Sequence, residues 1–228
     1  MEGQHGRYHP QIERADRQLP QHRVFRRRRR LYHQKFRYPP ETILSHTFYE
    51  THTEEFYDFY RAKMLAPDAQ PNAAHRKLAQ WEQEGRLKAV ITQNIDGLHQ
   101  KAGSREVLEL HGSVLRNYCT HCGKFYGVER IAESTGVPRC ECGGIIKPDV
   151  VLYEESLNEE VMAKAIHYIR QADVLLIGGT SLVVYPAAGL VQYYRGGKLA
   201  VINKGGAGSS LGAAVNVDAP IGWVMEQL

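Results

Sequence analysis

The spacing of apolar side chains predicts a helical first part of the chain. Within residues 52–65, apolar and aromatic residues recur every three or four positions, which is typical of one buried helix face. These residues are Phe56, Phe59, Tyr60 and Met64. A second helix is predicted over residues 71–85, because this stretch begins at a proline and ends at a glycine. Its apolar face consists of Ala74, Leu78 and Trp81.

Short apolar runs and amphipathic segments alternate in the remainder of the chain. The apolar runs cover residues 87–94, 172–181 and 198–204, and each ends in polar residues. A helix is predicted over residues 158–172 and another between the last two runs. This alternation predicts an α/β fold with a parallel sheet. The polar strand ends then lie at the carboxyl edge of the sheet, where open α/β folds bind ligands.

All four cysteines of the 228-residue chain lie within one stretch of 24 residues. They form two short hooks, Cys119-x-x-Cys122 and Cys140-x-Cys142, separated by 17 residues. Two such hooks can place four thiolates tetrahedrally around zinc. Because all four ligands then come from the protein, we expect a structural zinc ion. The alternatives are incidental thiols or disulfides.

The distribution of charge disfavours nucleic-acid binding by the body of the protein. The net charge is +4, but residues 1–30 hold nine arginines against three acidic residues, which is +6 and leaves −2 for the remainder. A mildly acidic body gives no electrostatic case for a nucleic-acid partner. No apolar run is long enough to cross a bilayer, and none near the start resembles a secretion signal. We therefore expect a cytoplasmic protein without a membrane partner.

Three hydrogen-bonding side chains follow the first predicted strand. Gln93, Asn94 and Asp96 stand there, with Ile95 between them. Amide side chains can bind a ribose or a carboxamide, and a carboxylate can accept from an amide N–H₂ group. The alternative is a capped turn in which Asn94 or Asp96 starts the next helix, and these residues taken alone favour it.

His111 is the candidate for proton transfer, because it lies between this polar loop and the cysteines. His99 falls within a predicted helix, and His121 lies between two predicted zinc ligands, so both are weaker candidates. Residues 178–186 join a strand to a helix through two glycines and two hydroxyl side chains. Backbone N–H groups at such a turn suit a phosphate or a ribose.

In their order along residues 31–204, these stretches resemble the sirtuins, the NAD-dependent protein-lysine deacylases. Besides the four cysteines, the matching motifs are TQNID at 92–96, LHG at 110–112, KPDVVLYEE at 147–155, GTSL at 179–182 and VIN at 201–203. The resemblance implies a doubly wound, Rossmann-like parallel sheet and a small lobe. It also implies NAD and one zinc ion as cofactors and acetylated protein lysines as partners.

The resemblance implies four segments. Residues 1–30 form an aberrant start, and residues 31–86 form the helical module of the small lobe. The zinc ribbon covers residues 119–145. The NAD-binding domain comprises residues 87–118 and 146–228.

The resemblance also assigns roles to single residues. His111 is the general base, and Asn94 assists it. The nicotinamide and ribose pocket is formed by Gln93, Asn94, Ile95 and Asp96. The phosphates and the other ribose are bound by Gly179, Thr180, Ser181, Asn203 and Lys204. The substrate peptide is bound by Val151, Leu152, Tyr153, Glu154 and Val183.

The implied reaction moves an acetyl group from lysine to NAD and releases nicotinamide and O-acetyl-ADP-ribose. Family members that prefer acidic acyl groups carry a Tyr-x-x-Arg pair in the helical module. Here Tyr60 stands where that arginine would be, and Arg61 comes one position late, nearly 100° further round a helix. We therefore expect acetyl to be preferred over succinyl.

Residues 1–30 depart from the family pattern. The family has a strand and a Gly-Ala-Gly-x-Ser loop there, which binds the NAD diphosphate, whereas this chain has an arginine-rich stretch that ends in Arg26–Arg30. A reading frame shifted before Leu31 is our hypothesis, and a basic arm is the alternative. A second functional hypothesis follows, namely a zinc-stabilised remnant that binds acetyl-lysine peptides without NAD turnover.

Overall fold

The computed structural model describes residues 36–180, 187–204 and 211–228, and the compact unit considered below spans Glu41–Leu228. Its helices are α1 Pro40–Ile43, α2 His46–Thr51, α3 Thr53–Lys63, α4 Ala73–Gln83, α5 Leu98–Lys101, α6 Val128–Ala132, α7 Glu159–Gln171 and α8 Ile221–Glu226, with a 3₁₀ helix at Ala187–Tyr193. Its strands are β1 Val90–Thr92, β2 Val107–Glu109, β3 Gly112–Cys119, β4 Phe125–Tyr126, β5 Ile146–Val150, β6 Val174–Gly178, β7 Lys198–Ile202 and β8 Val215–Val217.

The two helices predicted in the first part are both present. α3 buries Phe56, Phe59 and Tyr60, as its spacing predicts, and also Tyr57. α4 begins after Asn72, whose side chain accepts a hydrogen bond from the backbone N–H of the third helical residue, and this capping fixes where the helix starts.

The strands form an antiparallel sheet and two groups of parallel strands. β3 pairs antiparallel with both β4 and β5, and this sheet carries the cysteines. β1 pairs parallel with β2, whereas β6, β7 and β8 form a separate parallel group. The three predicted apolar runs are therefore strands, and β2 and β8 are additional ones that the pattern did not indicate.

Helices cover the parallel strands on both faces, which confirms the predicted α/β class. Neighbouring residues of β6 point in opposite directions, because side chains alternate along a strand. Leu175 packs with α7 and the 3₁₀ helix, whereas Leu176 packs with α4 and α8. α7 also packs on Leu108 of β2 and near Ile91 of β1, so one helix covers both parallel groups.

Within the described residues, no strand pairs with the second edge of β1 or with the second edge of β6. The parallel layer therefore consists of two groups of strands that are covered by the same helix but are not joined to each other by strand pairing. No helix among these residues has the length and apolar character to span a membrane.

Candidate active site

The carboxyl ends of β1 and β6 meet at one point. Gln93 follows β1, and its Nε2 atom donates a hydrogen bond of 3.4 Å to the hydroxyl oxygen of Thr180, which follows β6. Both strands therefore end at the same place in the parallel layer. The polar residues predicted at the strand ends thus lie at the edge where α/β folds bind ligands.

His111 is held at the same edge by a backbone contact. Its Nδ1 atom lies 3.0 Å from the carbonyl oxygen of Gln93. Because a carbonyl only accepts hydrogen bonds, Nδ1 must carry the proton in this contact. In the neutral ring, Nε2 then has the lone pair and is the atom that can accept a proton.

Gly112 fixes the chain direction directly after His111. Its φ of 74° lies in the left-handed region, and a side chain there would overlap the backbone carbonyl oxygen of Asp149 on β5. The carbonyl of His111 in turn accepts a hydrogen bond of 3.0 Å from the N–H of Val151. The histidine is therefore locked between the parallel strands and the antiparallel sheet.

The loop after Gln93 has features of both interpretations of its sequence, a ligand-binding loop and a turn closed by side chains. Asn94 is exposed, and its backbone N–H donates to the hydroxyl of Thr92 at 3.0 Å. A carboxylate oxygen of Asp96 accepts from the N–H of Leu98 at 3.0 Å and closes a turn, but the residue that caps α5 is Gly97 and not Asp96 or Asn94. The carboxylate has a second oxygen, which is an acceptor for a ligand. Ile95 is half-buried between these side chains.

The remaining predicted nucleotide contacts follow β6 and β7. Gly179 has a φ of 64° and donates its N–H to the carbonyl of Ile202 at 3.2 Å. Asn203 and Lys204 follow β7 at the same edge, and the N–H of Asn203 bonds to Val217 at 3.0 Å. These amide, hydroxyl and carboxylate groups fit the ribose and carboxamide parts of NAD. Ser181 and Val183 lie outside the described residues.

The predicted substrate segment is tied to the helical module. The backbone N–H of Tyr153 donates to Leu44, and its carbonyl accepts from His46, both at 2.9 Å. Leu152 is buried, and the ring of Tyr153 is half-exposed. Their assignment to substrate binding stays a prediction.

The four cysteine sulfurs fit a zinc ion. They all lie within 4.8 Å of one another, with 3.4 Å between Cys119 and Cys142 and 3.6 Å between Cys122 and Cys140. Zinc–sulfur bonds of about 2.3 Å in a tetrahedron separate the sulfurs by about 3.8 Å, whereas a disulfide needs about 2 Å. The thiols are free, so the disulfide alternative is wrong.

Further groups around the sulfurs were not evident from the cysteine spacing. The backbone N–H groups of His121 and Cys122 point at the sulfur of Cys119, at 3.4 and 3.5 Å. The hydroxyl of Tyr126 donates to the sulfur of Cys140 at 3.0 Å. Such hydrogen bonds orient metal ligands and stabilise their thiolate form. Tyr126 lies on β4, which pairs with β3 beside the cysteines.

Comparison with known proteins identifies close relatives. Residues 23–186 match the model of the Sir2 family. A curated NAD-dependent protein deacetylase of Clostridium acetobutylicum is 54% identical over 206 residues, which cover 89% of this chain and 84% of that protein. Another from Clostridium perfringens is 56% identical over 190 residues, which cover 82% and 78%.

Solved structures agree with these sequence matches. A Sir2 protein in complex with a p53 peptide and NAD⁺ has a TM-score of 0.75 and 39% identity, with 84% of this chain and 83% of that chain covered. A Sir2 protein bound to an acetylated peptide has a TM-score of 0.76 and 38% identity, with 84% and 83% covered.

Proposed function

This chain belongs to the Sir2 family and is by family an NAD-dependent protein deacetylase. We propose that it transfers the acetyl group of a modified protein lysine to NAD and consumes one water molecule, with unmodified lysine, nicotinamide and O-acetyl-ADP-ribose as products. The observation that carries the proposal is the convergence of Gln93, His111 and Thr180 at one strand edge. NAD, when bound, supplies a ribose whose bond to nicotinamide can be broken.

The residues of the chain have distinct parts in this proposal. Gln93, Asn94 and Asp96 bind the carboxamide and ribose, and Asn94 assists catalysis. The carbonyl of Gln93 orients the ring of His111, so that Nε2 is available as the general base. Gly179, Asn203 and Lys204 bind the nucleotide further along the edge. An acyl-lysine peptide binds along residues 151–154, with strand-like pairing that requires little sequence specificity.

The test is mass spectrometry of this chain with NAD and an acetyl-lysine peptide. We expect nicotinamide and acetylated ADP-ribose, and we expect His111→Ala to reduce their formation by about 10²-fold or more, because a positioned base contributes on that scale. His167→Ala, at an exposed histidine of α7, is the matched control. Equal activity of the two variants would exclude His111 as the base.

The helical module supports the preference for acetyl over succinyl. Tyr57 and Tyr60 are fully buried, and the hydroxyl of Tyr57 donates to the carbonyl of Ile146. Both arms of the Arg61 guanidinium are engaged, one with Ser134 and Gly136 at 3.2 and 2.9 Å and the other with Asp58 at 2.8 Å. The cation nearest in sequence to the expected position therefore holds the zinc ribbon.

This preference is tested with acetylated and succinylated versions of one peptide. We expect kcat/KM to be at least about tenfold higher for acetyl, because Arg61 is already bound to Asp58, Ser134 and Gly136 and does not compensate the succinyl carboxylate. Equal values would overturn the preference. The cytoplasmic location and the lack of membrane and nucleic-acid partners stay predictions of the sequence.

One observation favours the second hypothesis, a peptide-binding remnant without NAD turnover. Among the described residues, the facing edges of β1 and β6 have no strand partner, and the sequence of residues 1–30 has no glycine-rich loop for a diphosphate. Acetyl-peptide binding without product formation would support this function. If a Gly-Ala-Gly-x-Ser segment placed before Leu31 then gave activity, the missing feature would be the loop that binds the NAD diphosphate.

A further inference from the structure

Glu154 has a backbone conformation that is unfavourable for a residue with a side chain. Its φ is 77°, and it is the one non-glycine residue with positive φ among those that the structure describes. Only glycine adopts this left-handed region without steric cost, and bulky residues rarely do. Such a conformation persists only where surrounding contacts maintain it, and it often marks a functional segment.

The side chain of Glu154 makes the contact that can maintain it. One carboxylate oxygen accepts a hydrogen bond of 2.9 Å from the backbone N–H of Thr47 in α2. This bond lowers the pKa of the Glu154 carboxyl from its ordinary value, so the side chain is charged at neutral pH. A carboxylate is a stronger acceptor than a neutral oxygen.

The residues on both sides of Glu154 connect to the same helix start. Tyr153 exchanges two backbone hydrogen bonds with Leu44 and His46. The Glu155 carboxylate accepts from the ring of His46 at 2.9 Å and from Lys147 at 3.1 Å. At its other end, the segment bonds to the backbone of His111. Its position is therefore coupled both to α2 and to the candidate base.

We propose that Glu154 is a positioning residue for the substrate peptide, an inference that rests on the proposed function. The left-handed turn aims the Glu154 carboxylate at Thr47, and this hydrogen bond offsets the strain of the turn, so that residues 151–153 stay against α2. The half-exposed ring of Tyr153 and the buried Leu152 are thereby set in place before an acyl-lysine peptide binds.

Three substitutions separate the strain of the left-handed turn from the hydrogen bond of the Glu154 carboxylate. Glu154→Ala removes the carboxylate but keeps the strained Cβ, Glu154→Gly removes both, and Glu154→Gln keeps a neutral acceptor. The first measurement is amide hydrogen exchange of residues 44–48 and 151–155, resolved by fragmentation. The second is the affinity of a fluorescent acetyl-lysine peptide without NAD, with an unacetylated copy as reference. Glu160→Gln, at an exposed glutamate of α7, is the matched control.

We expect Glu154→Ala to speed exchange in both segments and weaken peptide binding about tenfold. Glu154→Gly should lose protection at Thr47 but keep it at Tyr153, because glycine adopts the turn freely. Glu154→Gln should lie between wild type and alanine. Wild-type exchange in Glu154→Ala, or equal losses at Tyr153 in the alanine and glycine variants, would overturn the inference. A wild-type chain with no preference for the acetylated peptide would instead overturn the proposed function, and exchange would still decide the role of Glu154.

Discussion

The antiparallel sheet with the cysteines and the parallel strands with the candidate active site differ in how completely their strands are paired. β3 lies between β4 and β5. Hydrogen bonds connect this region to α3 of the helical module. Tyr57 donates to Ile146 on β5, and Arg61 donates to Ser134 and Gly136. The parallel strands form two groups whose facing edges have no partner among the described residues, and Val174 at that edge is 55% exposed.

The difference shows that the two regions depend on different parts of the chain. The zinc-binding sheet is built from one continuous stretch, residues 112–150, so its assembly depends on the segment that carries the cysteines and on one metal ion. The two groups of parallel strands come from residues 90–109 and 174–217, which lie far apart in sequence, and helices on their faces hold the groups together. We therefore expect metal and local turns to determine the first region, and buried packing to determine the second.

Loss of zinc should have the largest effect and separate the two regions. Cys140→Ser, followed by mild chelation, should unfold the antiparallel sheet, because structural zinc contributes folding free energy directly. Amide exchange should accelerate across residues 112–150 while β6 and β7 keep most of their protection. Thr120→Ser, at an exposed position between ligands, is the control. Equal acceleration in all strands would show that the two regions fold as one.

Gly112→Ala should have the next largest effect, because Gly112 lies where the regions meet. We expect a loss of about 3 kcal/mol or more in the free energy of unfolding, since alanine combines a left-handed backbone with an overlap on Asp149. Gly85→Ala is a matched control, as its φ is 73° and nothing lies within 4 Å of an added Cβ. It should cost only about 1 kcal/mol. Urea unfolding measures both, and equal costs would contradict the steric argument.

The same contrast explains what the sequence could and could not predict. Cysteine spacing and the three apolar runs are local signals, and they correctly indicate the zinc site and β1, β6 and β7. Side-chain contacts that exist only in the folded chain gave no local signal, such as Tyr126 against Cys140 or the bond from Thr47 to Glu154. β2 was missed because Glu109 interrupts its apolar residues, whereas β1 lies in a longer apolar run.

Tyr126→Phe should weaken the zinc site without unfolding its sheet. The variant keeps the ring, which lies under Lys124 and Arg130 at 5.6 and 5.9 Å, and loses only the hydroxyl that bonds to Cys140. We expect about tenfold faster zinc release to a chromogenic chelator, which is the usual scale for outer hydrogen bonds to metal ligands. Tyr118→Phe, on the same sheet, is the control. Unchanged release would mean that the hydroxyl does not support the metal.

The smallest effect concerns acid sensitivity, which we place on the side of the parallel strands. His99 of α5 packs against His75 with ring centroids 4.6 Å apart, and its Nδ1 atom is buried without a hydrogen-bond partner in the described part of the chain. Burial, and secondarily the neighbouring His75, lowers the pKa of His99 to about 4, although the charge of Asp96 acts in the opposite direction.

The lowered pKa of His99 determines the direction in which stability changes with pH. In the unfolded chain the ring takes up a proton near pH 6.5, whereas in the folded protein it stays neutral down to about pH 4. Stability is therefore lost as the pH falls through this window and is unaffected above it. Because the His99 ring is partly exposed, we expect the free energy of unfolding to fall by only about 1 kcal/mol between pH 7.5 and pH 5.5. His99→Gln should remove this part of the pH dependence in urea unfolding, whereas His167→Gln should not. An identical pH slope in wild type and His99→Gln would show that the acid sensitivity arises elsewhere, with the cysteine cluster as the next region to test.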